Sequence, residues 1–370
     1  MTYLLSAGTI RIDVTVSRGL ACSVAVKANR PQGLARMFVG RRAEEAPALA
    51  GQVFSLCGFA QSLACRIAVL NATDTPMGDE ERVAAGAGLL AERIFETLRP
   101  LILHWPTPLP EKMALGVGRQ LREALAASHV IVSQGRSGQI AKDSLAADAA
   151  RLTAAAHALG TPRDGDEPVV GSVLAAMLQE LGDAADFAQR TPEPLTADDD
   201  AEVIARLPDE PDFARMPHLP GRVVETGAYA RRSGAIFSRK PHLARRLLAR
   251  IGDIQDCLAQ LARLATSGDQ DWSSLAAGGP TPGAGGYGAV ECARGRLYHH
   301  AEVGSDGRLG AYRILAPTEW NFHPVGPFVE RLLLSRIGTG ESAARSVSLL
   351  ALLFDPCVPF DIGIREAAHA

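Results

Sequence analysis

From Thr9 to Val16 apolar and polar residues alternate, and the Val- and Ile-rich pattern resumes after Ser17-Arg18-Gly19. Period-two alternation broken by a short polar segment predicts a two-stranded ribbon within residues 1–30. Around Val53–Leu70 the residues become small and apolar, which predicts a buried helix beginning close to Cys57. A long helical pattern then runs from Asp79 to Leu103. Its acidic start suits the positive end of a helix, and Pro106 and Pro108 should stop it. Alanine-rich segments 111–127, 141–159 and 170–189 read as further helices, with a strand-like run Val130–Ser133 between the first two.

Thr191–Gly221 holds six prolines and the run Asp198-Asp199-Asp200, with little periodicity. This predicts a flexible surface loop over 191–221. Helical periodicity returns over Lys240–Ser267, where Leu243, Leu247, Leu248, Ile251, Ile254, Leu258 and Leu261 fall on one side. The Gly- and Pro-rich stretch 268–288 reads as a second flexible loop. Ala289–Ala316 predicts two strands joined at Gly304-Ser305-Asp306-Gly307, and Ser342–Leu353 a last helix before a cysteine-bearing turn.

Composition narrows the function classes. The 370 residues are 47% hydrophobic and 21% charged, with a formal net charge of −3. The basic residues are scattered, so neither nucleic acid nor an acidic membrane surface is indicated. The densest basic stretch, Arg239-Lys240 to Arg250, reads as the solvated face of a helix. Six cysteines in a chain of this length make no disulfide framework. Met1–Leu5 lacks a basic leader pattern, and no apolar run approaches the roughly 20 residues of a membrane helix. A cytoplasmic protein with reduced thiols is the expectation.

Two cysteines stand out by their neighbours. Cys57-Gly58 is followed by Ala60, and Asp355-Pro356-Cys357 by Phe360, so each is a CxxC lacking its second thiol. Two complete motifs would offer four thiolates, enough for two metals; these halves offer two thiols for one soft metal fragment. A helix start or a neighbouring guanidinium lowers a thiol pKa, which would favour the ligating thiolate. Asp355-Pro356 should form a rigid turn beneath Cys357. The alternative is that both cysteines are small buried apolar residues. Cys65, eight residues past Cys57, falls on a similar side of one helix and reads first as a core residue and second as an auxiliary ligand; Gln61 is a further candidate. Cys22, Cys257, Cys292, His299, His300 and His323 show no zinc spacing.

These motifs resemble the large subunit of nickel–iron hydrogenases, whose two cysteine motifs read R-x-C-G-x-C-x-x-x-H and D-P-C-x-x-C-x-x-H. Ala64 and Gly363 stand where that family has its histidines. Glu291-Cys292-Ala293-Arg294-Gly295 resembles the family's E-A-P-R-G, and Ala316-Pro317-Thr318-Glu319-Trp320-Asn321 its V-P-T-T-W-N. Residues 100–285 carry no recognisable motif. The depleted ligand set is similar to that of the HupK/HoxV type, regarded as scaffolds for making the hydrogenase iron centre.

The resemblance implies an α+β, mainly helical fold: a hydrogenase large-subunit-like helical bundle with peripheral β-ribbons. Cys57 and Cys357 lie 300 positions apart in sequence, so a shared site requires one domain over 1–370. Carried over by position, both terminal thiolates are kept and both bridges are lost. Nickel is therefore not expected, and the implied cargo is an Fe(CN)2(CO) fragment held transiently on Cys57 and Cys357. Arg294 would hold an anionic cyanide or depress a thiolate pKa, or else form an ordinary ion pair with Glu291 or a neighbour. Asp355 would accept from Arg294, or serve only as a turn cap. The implied partners are hydrogenase maturation chaperones and a hydrogenase large subunit. Two other functions remain open: a divergent nickel-dependent oxidoreductase, and a metal-free protein that binds maturation chaperones.

Overall fold

Alternation at the N-terminus builds the ribbon that the sequence predicts. The computed structural model describes residues 8–29, 33–54, 56–183, 187, 193–232 and 240–367. The leader reading on Met1–Leu5, Arg239, the start of the 191–221 segment and much of the end of the 170–189 helix lie outside them. Strands β1 (Thr9–Ser17) and β2 (Leu20–Asn29) pair antiparallel, and Arg18 and Gly19 turn with positive φ. Helices α1 (Ala46–Val53), α2 (Gly58–Ala72), α3 (Asp79–Leu103), α4 (Glu111–Ser137), α5 (Lys142–Leu159) and α6 (Val173–Glu180) follow. Next come β3 (Glu193–Pro194), α7 (Asp200–Arg206), β4 (Val224–Glu225), α8 (Ala228–Arg231) and the long α9 (His242–Ser267). A meander β5 (Ala276–Thr281), β6 (Gly285–Cys292), β7 (Gly295–Val303) and β8 (Leu309–Leu315) leads to α10 (Pro317–Asn321), α11 (Pro327–Leu332), α12 (Gly340–Phe354) and β9 (Phe360–Glu366).

The core is helical. Helix α3 packs on α4, α9 lies against α3 and α5, and leucines 243, 247, 258 and 261 of α9 are buried as its periodicity predicts. The final strand was not anticipated. β9 joins β1 in parallel, pairing Ile10 with Phe360 and Val16 with Glu366, so both ends of the chain share one sheet. Gly363, at the position of the family's histidine, pairs with Asp13 in that sheet.

Four expectations are corrected. Val130–Ser133 is not a strand: it continues α4, because Ile131 buries on the same face as Ala124, Ala127 and Gly135. Residues 268–288 are not a flexible loop but contain β5 and the start of β6. Their glycines serve close approach. A Cβ on Gly286 would overlap backbone of α2 at Ala68 and Ala72, and one on Gly288 the Ala64 carbonyl.

Nor is 191–221 a flexible loop from Glu193 onward. Leu195, Val203, Ile204, Leu207, Phe213 and Leu219 pack together with Trp320, and Thr196 with Asp199 forms a capping box. The acidic run that reads as solvated puts Asp200 inside, bound by Arg296 and Tyr298. Likewise the basic stretch of α9 is not a solvated face, since Arg246 and Arg250 are buried. Among the described residues no helix is long and apolar enough to cross a membrane.

Beneath the sheet, Asp253 of α9 binds Arg93 and Arg231, and Glu291 binds Arg231 and Arg296. Burial alone would raise the Asp253 pKa, but Arg231 and Arg93 outweigh it and hold the carboxyl well below its ordinary 3.8. A depressed acid stabilises the fold above its unfolded pKa and loses that contribution as pH falls. Asp253→Asn should therefore cost about 3–5 kcal/mol at neutral pH, with the gap to wild type narrowing as the pH falls below about 4, in urea titrations across pH. Gly288→Ala should cost about 1–3 kcal/mol in the same assay, because α2 must move off β6.

Candidate metal-fragment site

Cys57 is the residue that caps α2, and it is 8% exposed. Its φ of −149° is extended while its ψ of 46° is not, and as the N-cap residue it stands at the start of the helix. Cys357 arrives from the other end of the chain. Helix α12 stops at Asp355, which takes a left-handed conformation (φ 56°, ψ 68°), and Pro356 prevents the helix from continuing. The Thr318 hydroxyl of α10 donates to the Cys357 sulfur at 3.3 Å and accepts from the Cys357 backbone N–H at 3.3 Å.

Arg294 occupies the two-residue tip between β6 and β7, where Cys292 pairs with Gly295. Hairpin tips are ordinarily wet, yet Arg294 is only 4% exposed. Its guanidinium donates to Glu96 at 3.4 Å, reaches the Leu56 carbonyl at 3.4 Å and stands 3.6 Å from Asp355. Burial disfavours its charge, but Asp355, Cys57, Glu96 and Cys357 together raise its pKa above the ordinary value. One buried cation therefore lies within electrostatic reach of both half-motif cysteines. Asp355 also accepts from Arg250 at 3.2 Å, so it does more than cap a turn. Glu291 does not pair with Arg294; it serves Arg231 and Arg296.

The helix start does not activate Cys57. Burial pushes its thiol well above the ordinary pKa of 9.0, Cys292 adds to the rise, and Arg294 offsets only part of it. The expectation of a lowered thiol pKa is thus overturned by desolvation. At the same helix start, Glu92 accepts the backbone N–H groups of Phe59 and Ala60 at 2.7 and 2.8 Å, while burial pushes its carboxyl up to about 7. Ala60, at the position of a family bridging cysteine, is fully buried, and Phe360 opens β9.

Other candidates sort clearly. Cys292 is a further thiol within electrostatic reach of Cys57, buried and pushed up to about 11 by that burial. Cys65 does not face the site: it hydrogen-bonds Tyr312, and burial pushes its thiol up to about 12. Cys257 lies in the core, and Cys22 is exposed. His300 meets Thr281, while His323 accepts from the Val325 N–H. Among the described residues no three His, Cys, Asp or Glu side chains form a metal cage.

Sequence reasoning missed Glu92, Glu96 and Arg250, whose helices carried no motif. Thr318 was visible only as part of a block. That block has a physical role: Asn321 accepts from the Thr226 N–H and donates to its carbonyl, and the Thr226 hydroxyl accepts from Arg296 N–H. It thus supports Cys357 on one side and the Arg294 hairpin on the other.

No family model matches the chain. Curated relatives do. It is 67% identical over its full length to the hydrogenase expression/formation protein HupK of Rhizobium leguminosarum bv. viciae, and all of that protein is covered. The chain belongs to the HupK family of hydrogenase expression/formation proteins. HupK of Bradyrhizobium diazoefficiens is 34% identical, with 97% of this chain and 98% of that protein covered. HoxV of Cupriavidus necator is 29% identical, with 92% and 93% covered. The fold is that of nickel–iron hydrogenase large subunits. The reduced Ni-Fe-Se hydrogenase from D. vulgaris Hildenborough aligns with TM-score 0.61 at 16% identity, covering 93% of this chain and 95% of that one. The NAD+-reducing [NiFe]-hydrogenase in the H2-reduced state aligns with TM-score 0.61 at 15% identity, covering 92% and 93%.

The burial pattern sets an order of thiol reactivity. In native protein at pH 7 a maleimide should label Cys22 first. Cys57 should remain with Cys65, Cys257 and Cys292 among the thiols released only by denaturant, as peptide mass mapping would record.

Proposed function

We propose that this HupK-family chain is a non-catalytic assembly scaffold. It takes an Fe(CN)2(CO) fragment from small maturation chaperones, holds it on Cys57 and Cys357, and passes it to a nickel–iron hydrogenase large subunit in the cytoplasm. The observation that carries this reading is Arg294. A single buried guanidinium feels both half-motif cysteines, and its Nε–H is buried with no hydrogen-bond partner among the described residues.

The donor set fits such a cargo. Two sulfurs suit iron, and cyanide is an anion that accepts hydrogen bonds, which the spare Nε–H offers. Arg294 would orient the fragment through that donor, while Asp355 and Glu96 fix the guanidinium plane. Thr318 would steady the Cys357 sulfur. Coordination requires the thiolate, so loading displaces the Cys57 proton, and Arg294 offsets part of the resulting buried charge. Nothing at positions 60 or 360 supplies a sulfur bridge to nickel. The reading therefore includes no hydrogen-splitting step.

The experiment is infrared spectroscopy of the chain purified after co-production with the maturation machinery. Cyanide and carbonyl stretches are expected from wild type, with about one iron and no nickel by metal analysis. Cys57→Ser combined with Cys357→Ser should abolish both bands. Bands that survive this double change, or stoichiometric nickel, would refute the scaffold; an absence of metal in wild type would favour a metal-free binding role.

A further inference from the structure

Gln61 lies one turn beyond Cys57 in α2 and is 3% exposed. Its Nε2 donates to the Cys57 sulfur at 3.8 Å, within the longer reach of sulfur acceptors. Its Oε1 lies 2.7 Å from Nε2 of His299. The other ring nitrogen, Nδ1, lies 2.5 Å from the Tyr312 hydroxyl, and Tyr312 hydrogen-bonds the Cys65 thiol. His299 on β7 and Tyr312 on β8 are 0% and 1% exposed, and Phe38 stacks on the Tyr312 ring at 4.3 Å.

The direction of this chain follows from its chemistry. An amide has one accepting end and one donating end. With its oxygen on His299, the imidazole must carry its proton on Nε2. His299 is neutral, since burial pushes its pKa down to about 3, so Nδ1 is bare and accepts from the Tyr312 O–H. From Tyr312 onward every link therefore donates toward Cys57, and none brings a charge. A hydrogen bond given to sulfur favours the thiolate over the thiol.

We propose that His299 and Tyr312 are positioning residues that hold the Gln61 amide N–H on the Cys57 sulfur, and so prepare it to carry the iron fragment. This rests on the scaffold reading above. His299 touches no cargo; it fixes which end of Gln61 faces the site. Without the Tyr312 hydroxyl, the imidazole is free to move its proton to Nδ1, and Gln61 turns its oxygen toward the sulfur.

The test is the carbonyl stretch of loaded protein. A thiolate that has lost its hydrogen bond gives more electron density to iron, and the added back-donation weakens the C–O bond. In Tyr312→Phe and in His299→Ala the band should move to lower wavenumber, with less iron retained after gel filtration. His299→Gln, which places an amide N–H where Nε2–H was, should return the band toward its wild-type position. A merely structural role would lower the melting temperature and leave the band in place. Tyr312→Phe deletes one oxygen and decides the matter if His299→Ala fails to fold. Wild type with bands, and folded Tyr312→Phe with the same bands, overturns the positioning role alone. Wild type without bands overturns the scaffold reading and this inference with it.

Discussion

A guanidinium buried at a hairpin tip is the constraint that the rest of the molecule answers. Removing such a charge from water costs several kcal/mol unless carboxylates and hydrogen bonds compensate. Arg294 finds Glu96 from α3 and Asp355 from the end of α12, and the Leu56 carbonyl just before α2. Those partners come from three separate parts of the chain. Asp355 is itself held by Arg250 of α9, which also donates to the carbonyls of Leu352 and Thr97. The ion pairs thus fasten α3, α9, α12 and the β6–β7 tip at one point. The β1–β9 pairing then fixes the segment just past Cys357, where the Ile10 N–H donates to the Pro359 carbonyl at 2.9 Å.

The sequence made some of this legible, for physical reasons. Long amphipathic helices were readable because burial repeats every turn: α3 matches its predicted limits from Asp79 to Leu103, and α9 begins two residues after its predicted start. Short motifs gave Cys57, Cys357, Arg294 and Asp355. The glycine-rich strands were not legible, because glycine signals both flexibility and close approach. Only the backbone of α2 lying on Gly286 and Gly288 distinguishes the two. Buried ion pairs were hidden for a similar reason. Arg250 and Asp200 read as surface charges until a partner distant in sequence is in place. The direction of the Cys57 pKa was misread because motif logic counts neighbouring charges and omits desolvation, the larger effect here.

The raised proton affinity of Cys57 bears on what the site is suited to do. A thiol held above its ordinary pKa is protonated when empty, and an incoming metal must displace that proton. Every tenfold rise in the sulfur's affinity for its proton costs the metal about 1.4 kcal/mol. A tight resident centre would gain from the opposite arrangement. Under the proposed scaffold role, a carrier that must give up its fragment would gain from this one, since reprotonation of the sulfur favours release.

The four absent ligands are more than deletions. Ala60 is fully buried, and its backbone N–H is bound by Glu92. Ala64 presents its carbonyl to the bare face of Gly288, with no exposed surface left for a larger side chain. Half-buried Phe360 packs against the main core, and a Cβ on Gly363 would meet only the movable ends of the Arg11 and Asp13 side chains. At positions 60 and 64 the packing thus depends on the small residue. The two half-motif thiols, by contrast, both act electrostatically on the buried Arg294 guanidinium.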